Sequence, residues 1–458
     1  MERLMGLAGI AAFVALAYGL SRNRAAIHWR TVAWGLGLQW IFALVVLKGT
    51  VIAGLLGFLP FPPGVGWVVL ALMFVPMALR RFASYENRTL NWGLFAVIVL
   101  GLLRGNLVGS AFDRMRIVVE HLMAYAHEGA SFVFGALSDG PGSKVGMVFA
   151  FAVLPTIIFV ASIFAVLYYL GVMQWVVTAA ARAMGRFLKV SGAESVSVAA
   201  SILMGQTEAP LTIRPFLARM TRSELMLVMT AGMAHVSGSI MVAYVQVAHV
   251  DIVHLLTAVI MTAPGAVMLA KMLEPETEVP ETQGEVKVDI PNHDANLLDA
   301  AARGAFEGGQ LAFNVAVMLI AFIALIYLVN GLMKAIHPAF TMELVLGYAF
   351  KVPAFLMGVS WAEAGQVGGL LGKRMVVNEF VAFLDLGNMT GLSAKARLIS
   401  TFALCGFANF SSIAIQVGGI GALVPERRGD LARLGFRAML AGTLANFISA
   451  CIAGILSY

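Results

Sequence analysis

Residues 195–213 read SVSVAASILMGQTEAPLTI, an apolar segment that carries Gln206, Thr207, Glu208 and Pro210 at its middle. An ionisable group at the centre of a lipid-facing helix costs at least about 2.5 kcal/mol. Basic clusters also flank the segment on both sides, and basic loops of membrane proteins face the cytoplasm. A segment that enters from the cytoplasm, turns at mid-membrane and returns meets both constraints. We therefore expect a re-entrant hairpin, whose non-helical tip lines a cavity enclosed by protein.

The composition places this hairpin in a polytopic membrane protein. Of 458 residues, 60% are hydrophobic and 12% are charged, whereas soluble proteins carry about 25% charged residues. The net charge of +6 comes from Lys and Arg in short loops between apolar runs, which does not indicate nucleic-acid binding. Cys405 and Cys451 lie in apolar stretches, and the sequence contains no CxxC, HExxH or GxSxG motif. These observations exclude a soluble enzyme, a disordered protein and a nucleic-acid binder.

A transmembrane helix needs about 20 apolar residues, and eight segments of this chain meet that need. They are 4–20, 31–48, 147–171, 225–247, 253–272, 311–332, 399–420 and 437–457. Two shorter candidates are 66–79 and 91–103. The first segment is expected to be a retained span, because neither a basic region before it nor a small-residue cleavage site after it is typical of a signal peptide.

The basic loops predict the orientation of these spans. Arg22, Arg24 and Arg30 place the N-terminus outside, and later clusters follow with the correct parity. Those clusters are Arg80–Arg81–Arg88, Arg182–Arg186–Lys189, Arg214–Arg219–Arg222 and Arg427–Arg428–Arg433. The hydrophilic linker 274–299 is expected to be cytoplasmic. Lys395 and Arg397 fall outside, against the rule.

A second mixed segment, 343–390, holds Glu379 within VVNEFVAF and mirrors the first. Each hairpin glutamate precedes a glycine in an apolar run, Gly232 or Gly406, and polar residues follow each glycine in mid-span. These polar residues are His235, Ser237 and Ser239 in the first copy and Asn409, Ser411 and Ser412 in the second. An odd number of spans separates the copies, so their topologies are opposite. Inverted repeats with broken helices are typical of secondary transporters.

The polar groups at the two tips are suited to recognition. Carboxylates and amides can bind hydroxyl and ring N–H groups, and an aromatic ring can stack on a planar base. A sugar-plus-base ligand fits this set, whereas an anion does not, because no Arg or Lys is expected near either tip. Structural roles remain open: the glutamates can pair within the bundle, Asn409, Ser411 and Ser412 can bond across helices, and Phe407 can simply pack.

The motifs GQTEAPL (205–211), NEFVAF (378–383) and ALCGFANFSSIAI (403–415) resemble those of the concentrative nucleoside transporters, as do RRGDLARLG (427–435) and the final AGTLANFISACIAGI. The resemblance covers the chain except about 50–105. It implies an all-α polytopic homotrimer with eight core transmembrane helices, two opposed re-entrant hairpins and an inverted-repeat core that moves like an elevator. It also implies nucleoside uptake driven by sodium or protons, with ligands of the uridine, cytidine and adenosine type.

The resemblance also implies roles for particular residues. Gln206, Thr207 and Glu208 would bind the nucleobase, and Glu379, Asn409 and Ser412 the ribose. Phe407 and Ile240 would line the pocket. The coupling-ion site would involve Ser201, Met204, His235 and Val236. Family members coupled to sodium have Asn in place of Ser201 and Ser in place of His235; since a hard cation prefers oxygen ligands, a proton is the favoured coupling ion and Na⁺ the alternative. No catalytic residue, firm metal site or organic cofactor is expected.

These interpretations divide the chain into six parts. They are N-terminal scaffold helices (1–49), a hydrophobic insertion with a helix pair (50–105), an interfacial segment with a scaffold or gate helix (106–190), the first hairpin with transport helices (191–273), a cytoplasmic linker, amphipathic segment and scaffold helix (274–335), and the second hairpin with transport helices (336–458). We expect a multi-pass protein of the plasma (cell inner) membrane. The competing hypotheses are an intramembrane enzyme using Glu208 and Glu379 as an acid–base pair, and a nucleoside-gated sensor or channel.

Overall fold

The computed structural model describes residues 2–56, 100, 103–139, 148–283 and 294–457, and every long regular element in these residues is helical. The first half contains α1 (Glu2–Gly19), α2 (Trp29–Leu47), α3 (Gly49–Leu55), α4 (Leu107–Phe134), α5 (Leu154–Tyr169, after a helical turn Phe149–Ala152), α6 (Val172–Leu188), α7 (Gly192–Ser201), a 3₁₀ segment (Ala209–Arg219), α8 (Arg222–Ala234), α9 (Gly238–Ala248) and α10 (Ile252–Leu273). The second half contains α11 (Leu297–Ile336), α12 (Met342–Leu356), α13 (Ala364–Val376), α14 (Glu379–Asn388), α15 (Ala394–Leu404), α16 (Phe410–Leu423) and α17 (Arg428–Leu456). The predicted span 66–79 and nearly all of 91–103 lie outside the described residues.

The eight main predicted spans each coincide with helix. Within the described residues, six segments are long and apolar enough to cross a membrane: Trp29–Leu47, Phe149–Tyr169, Arg222–Ala248, Ile252–Leu273, Leu297–Ile336 and Pro425–Leu456. The spans predicted at 225–247 and 399–420 each consist of two helices, interrupted at 235–237 and 405–409. These interruptions are the broken helices that the family resemblance implies.

The helices repeat in order, as the inverted-repeat prediction requires. Each half contains a long apolar helix, an amphipathic or short helix, a hairpin, a broken span and a final span. The two long helices α5 and α11 pack antiparallel, because a Cβ on Gly304 would contact Ala165 and one on Gly308 would contact Ile157. The final spans α10 and α17 are also antiparallel, since Glu274 bonds to Arg437 at one end and Thr262 to Ser449 further along.

The second hairpin is formed by α13 and α14 and is supported from behind by α12. Helices α12 and α13 approach so closely that a Cβ on Gly368 would lie 2.6 Å from the Gly347 carbonyl oxygen. A Cβ on Gly372 would likewise collide with Leu346 of α12. Gly368 and Gly372 therefore permit this close approach of the two helices.

One end of the bundle brings three arginines together around a single buried carboxylate. Glu274, at the end of α10, bonds to Arg22 at 2.7 Å, Arg222 at 2.9 Å and Arg437 at 3.0 Å. These arginines belong to the loop after α1, the start of α8 and the interior of α17. Their convergence agrees with the predicted parity of the basic loops. The bond to Glu274 raises the pKa of the Arg22 guanidinium.

Arg397, which violates the charge rule, satisfies backbone groups elsewhere in the bundle. Its guanidinium donates to the Met389 carbonyl at 2.6 Å and to the Ala248 carbonyl at 3.3 Å. Both carbonyls lie at helix C-termini, where the helix dipole favours a positive charge. The charge of Arg397 therefore stabilises the ends of α9 and α14.

We expect Glu274→Gln to destabilise the protein by about 3–5 kcal/mol, because three arginines lose their shared counter-charge. The melting temperature in detergent should fall clearly below that of the wild type. Glu278→Gln is the matched control, since Glu278 is exposed four residues away. Equal melting temperatures for the two variants would show that Glu274 does not hold these helices together.

Candidate functional site

The two interrupted spans meet at their breaks. The Phe407 amide donates to the His235 carbonyl at 3.2 Å, and the Gly238 amide donates to the Leu203 carbonyl at the first hairpin at 3.1 Å. Helices α9, α14 and α16 all begin near the breaks or a hairpin tip. Helix N-termini carry unpaired N–H groups and partial positive charge, which suit polar or anionic groups of a ligand.

Glu379 lies at the second tip and is held by two donors. The Tyr244 hydroxyl donates to its Oε1 at 2.9 Å, and the Asn409 amide donates to its Oε2 at 3.1 Å. Tyr244 is fully buried on α9 and its ring stacks on Phe383, with centroids 4.4 Å apart. A carboxylate with four lone-pair sites and two fixed donors retains acceptor capacity for hydroxyl groups.

Asn409 also organises the start of α16. Its Oδ1 accepts hydrogen bonds from the Ser412 amide at 2.8 Å and the Ser411 hydroxyl at 2.7 Å, so it is the N-cap of this helix. Such a cap fixes the side-chain amide in one orientation. The amide nitrogen is thereby directed at Glu379.

The first tip contacts the second repeat through α16. Gln206 donates to the Ser412 hydroxyl at 3.1 Å and accepts from the Gln416 amide at 3.3 Å. Gln416 also donates to the Met229 carbonyl on α8 at 3.2 Å. The structure thus brings Gln206, Ser412, Asn409 and Glu379 into one hydrogen-bonded chain.

Thr207 and Glu208 are exposed at the first tip. Glu208 accepts from the Gly205 amide at 3.2 Å and lines a cavity of about 540 Å³ together with Met204, Ser237 and Ser239. This volume suits a small polar molecule. The cavity lies between the first hairpin, α5, α9 and α11.

Phe407 and Ile240, the predicted pocket-lining residues, lie at and just after the two breaks. Ile240 is buried near the start of α9, and Phe407 is partly buried within 405–409. Within the described residues, neither Phe407 nor Ile240 takes part in the side-chain hydrogen bonds or ring pairs around Glu379. Their role as pocket lining stays a prediction.

The side chains predicted for the coupling ion bond within their own helices. The Ser201 hydroxyl donates to the Ser197 carbonyl at 2.8 Å, and His235 Nδ1 lies 2.7 Å from the Ala231 carbonyl oxygen. Met204 and Val236 are close in sequence to these residues, and Val236 is buried. A hard cation such as Na⁺ prefers several oxygen ligands, so an imidazole and a serine already bonded to its own helix fit Na⁺ poorly. Among the described residues, no group of three or more His, Cys, Asp or Glu side chains is placed to hold a metal ion.

The expectation that no Arg or Lys lies near the tips is wrong. Arg374, on the incoming helix of the second hairpin, is buried and donates to backbone carbonyls at the second break. Arg303 of α11 lines the cavity beside Glu208, paired with Asp294 and Glu307. Both cations are engaged with acceptors of the protein, so neither presents a free charge to an anionic ligand.

Sequence reasoning missed four side chains that organise the site: Tyr244, Arg374, Gln416 and Asn446. Asn446 on α17 donates to the Ala234 and Cys405 carbonyls, both at 2.9 Å, and therefore joins the two breaks. Each of the four is a polar residue inside an apolar helix. That signal was present in the sequence, but it did not specify a partner.

Comparison with known proteins agrees with this geometry. Family models match residues 8–60 ("Na+ dependent nucleoside transporter N-terminus"), 150–250 ("Gate: Nucleoside recognition") and 254–454 ("Na+ dependent nucleoside transporter C-terminus"). The match at 8–60 extends into the stretch 50–105, which the motif resemblance left out.

Relatives and solved structures match over nearly the whole chain. An uncharacterized transporter of Bacillus subtilis, YutK, is 40% identical over 99% of this chain and 100% of its own length. The sodium/nucleoside cotransporter 2 of Rattus norvegicus is 34% identical over 99% of this chain, which spans 63% of the rat protein.

The structure of CNTnw in an inward-facing, substrate-bound state is similar, with a TM-score of 0.81 and 37% identity over 99% of this chain and 98% of that one. A CNTnw variant in an outward-facing state gives the same TM-score at 36% identity, covering 100% of this chain and 98% of that one. Family and structural neighbours are transporters and not enzymes, so the acid–base hypothesis for the two glutamates is excluded. With its inverted repeat, two hairpins and paired broken helices, this chain belongs to the concentrative nucleoside transporter family.

Proposed function

We propose that this protein imports nucleosides across the plasma membrane by symport with a cation, and that the proton is the coupling ion. The observation that carries the substrate assignment is the hydrogen-bonded chain from Gln206 through Ser412 and Asn409 to Glu379. It joins the tips of two hairpins from opposite repeats. A ligand held between them has to present polar groups at both ends.

A nucleoside meets that requirement. Glu379, fixed by Tyr244 and Asn409, accepts the ribose hydroxyls, and Ser412 contributes a further hydroxyl. Gln206, Thr207 and Glu208 supply the mixed donors and acceptors that a nucleobase edge needs. Phe407 and Ile240 supply apolar surface for the base and sugar. Uridine, cytidine and adenosine all carry this combination of groups.

The way the parts are joined supports the proposed movement. The hairpins, broken helices, α10 and α17 share buried hydrogen bonds, whereas α5 and α11 pack on each other through small residues. We therefore assign the first group to a transport unit that moves in an elevator manner and the α5–α11 pair to the scaffold. The scaffold would support a homotrimer, as in the family to which the chain belongs.

The choice of the proton rests on His235. A carbonyl oxygen only accepts, so the 2.7 Å contact with Ala231 places the hydrogen on Nδ1 and leaves a lone pair on Nε2. Nε2 is buried and has no hydrogen-bond partner in the described part of the chain. The backbone of Val259 lies near the imidazole ring. His235 also follows the last residue of α8, where the helix dipole favours a positive charge. Na⁺ is the alternative, favoured by the names of the family and the mammalian relatives.

Tyr244→Phe should raise the KM for uridine about tenfold, because Glu379 loses a hydrogen bond to a charged acceptor. Uptake of uridine and 3′-deoxyuridine into proteoliposomes measures the effect, and the preference for the ribose hydroxyl should shrink in the variant. Tyr168→Phe is the matched control, since Tyr168 lines the cavity and its hydroxyl has no hydrogen-bond partner in the described structure. Equal losses in both variants, or none in Tyr244→Phe, would contradict the role of Glu379.

The coupling ion can be tested with imposed gradients of H⁺ alone and Na⁺ alone. For one proton per nucleoside, an inward gradient of one pH unit should sustain about tenfold accumulation of uridine, with no response to Na⁺. His235→Ser should remove the proton dependence while uridine still exchanges across the membrane. Accumulation driven only by Na⁺ would instead support the sodium alternative. Unchanged pH and sodium dependence in His235→Ser would count against His235 as the proton carrier.

A further inference from the structure

Arg374 is a buried cation, and its hydrogen-bond partners indicate its role. It lies on α13 and is 1% exposed. Its Nε donates to the Gly406 carbonyl at 3.1 Å, one terminal nitrogen to the Ala403 carbonyl at 2.8 Å, and the other to Asn446 Oδ1. All three direct acceptors are neutral, and among the described residues no carboxylate lies at ion-pair distance from Arg374. Glu379, five residues on, acts on it electrostatically from further away. A buried charge without a directly paired counter-ion needs further stabilisation.

The stabilisation comes from the broken helix. Where α15 ends at Leu404, its last carbonyl groups have no partners within the helix, and they form the negative end of its dipole. Water or lipid cannot replace those partners in a closed protein interior. The guanidinium of Arg374 does, with a geometry that reaches two carbonyls and one amide oxygen at once.

Because the fold is an inverted repeat, the first half contains positions that correspond to Arg374 and to the break it contacts. His235 and Gly406 each follow the hairpin glutamate, Glu208 or Glu379, by 27 residues. Ser201 and Arg374 each lie on the incoming helix of their hairpin, seven and five residues before that glutamate, respectively. In the first repeat this place is the proposed coupling-ion site, and in the second repeat it holds the guanidinium.

We propose that Arg374 is a tethered cation that permanently occupies the second repeat's counterpart of the exchangeable cation site. This inference rests on the proposed function for the identity of the first site. It has two consequences. Only the first repeat exchanges a cation with solution, so one coupling ion accompanies each nucleoside. The second break stays rigid, so Arg374 is a positioning residue that keeps Asn409, three residues beyond Gly406, directed at Glu379.

The test is chemical rescue of Arg374→Ala. Uridine uptake by this variant should fall about 100-fold or more, because buried carbonyls lose a charged donor. Guanidinium chloride at low millimolar concentration should restore at least a tenth of the lost rate, whereas urea, its neutral analogue, should not. Arg397→Ala is the matched control, since Arg397 also donates to two carbonyls but lies away from the break. Rescue of both variants by guanidinium, or equal rescue by urea, would overturn the proposal.

A second readout does not depend on transport. The melting temperature of Arg374→Ala in detergent should rise with guanidinium more than with urea, while those of the wild type and Arg397→Ala should not. If wild-type protein transports no nucleoside but this melting response is observed, the proposed function fails and the tethered cation stands. If Arg374→Ala does not fold, Arg374→Lys and Arg374→Met provide the comparison, and the charged variant should retain more uptake. The reverse order would exclude a need for charge.

The ion stoichiometry distinguishes a tethered cation from a purely structural side chain. Reversal-potential measurements on the wild type should give one charge per nucleoside. In Arg374→Ala, a small cation supplied from solution should take the vacated place, and the measured charge per nucleoside should rise to two with guanidinium present. If guanidinium restores uptake fully but the charge per nucleoside stays at one, guanidinium has only a structural role. The proposed correspondence between the two repeats would then be wrong.

Discussion

Backbone carbonyls that two unwound helices expose inside a membrane protein are the constraint on which this structure depends. Lipid offers them no donors, so protein side chains have to supply them. Asn446 donates to a carbonyl of each break, at Ala234 and Cys405, and accepts from Arg374. Helix α17, which carries Asn446, is therefore buried along most of its length and contacts both broken spans. The breaks, the last span and the second hairpin form one polar network within an apolar bundle.

The groups proposed to bind the ligand derive their positions from that network. Because the second break is held, Asn409 can cap α16 and still direct its amide at Glu379. Because α16 is thereby fixed, Ser412 and Gln416 can bind Gln206 of the opposite hairpin. The two tips are coupled through one helix, so a ligand that contacts either tip affects the other. A buried polar network of this kind favours a single arrangement only when its members are satisfied.

The sequence predicted the hairpins, the repeat and the residues of the tips, because these depend on hydropathy, charge parity and local spacing. Glu208 and Glu379 were identifiable as ionisable groups where lipid does not tolerate them. The partners were not predictable, since Tyr244, Gln416 and Asn446 are single polar residues in apolar helices and any neighbouring helix can satisfy such a residue. Arg374 was misjudged for a related reason. It is only five residues from Glu379, yet its side chain lies at the break, a contact that depends on how α13 packs against α15 and α17.

The two repeats have the same order of helices and breaks. They differ in the side chain that lies at the break. In the second, a guanidinium that is charged at every physiological pH is bound to the chain and cannot leave. In the first, the His235 imidazole and a serine, each bonded within its own helix, lie at the corresponding place, where we propose that the coupling ion binds. If both places held fixed cations, no ion would accompany the substrate. If both were exchangeable, neither hairpin would be held in position before an ion bound. On the proposed assignment, one fixed and one exchangeable site would give this symmetric fold the asymmetry that coupling requires.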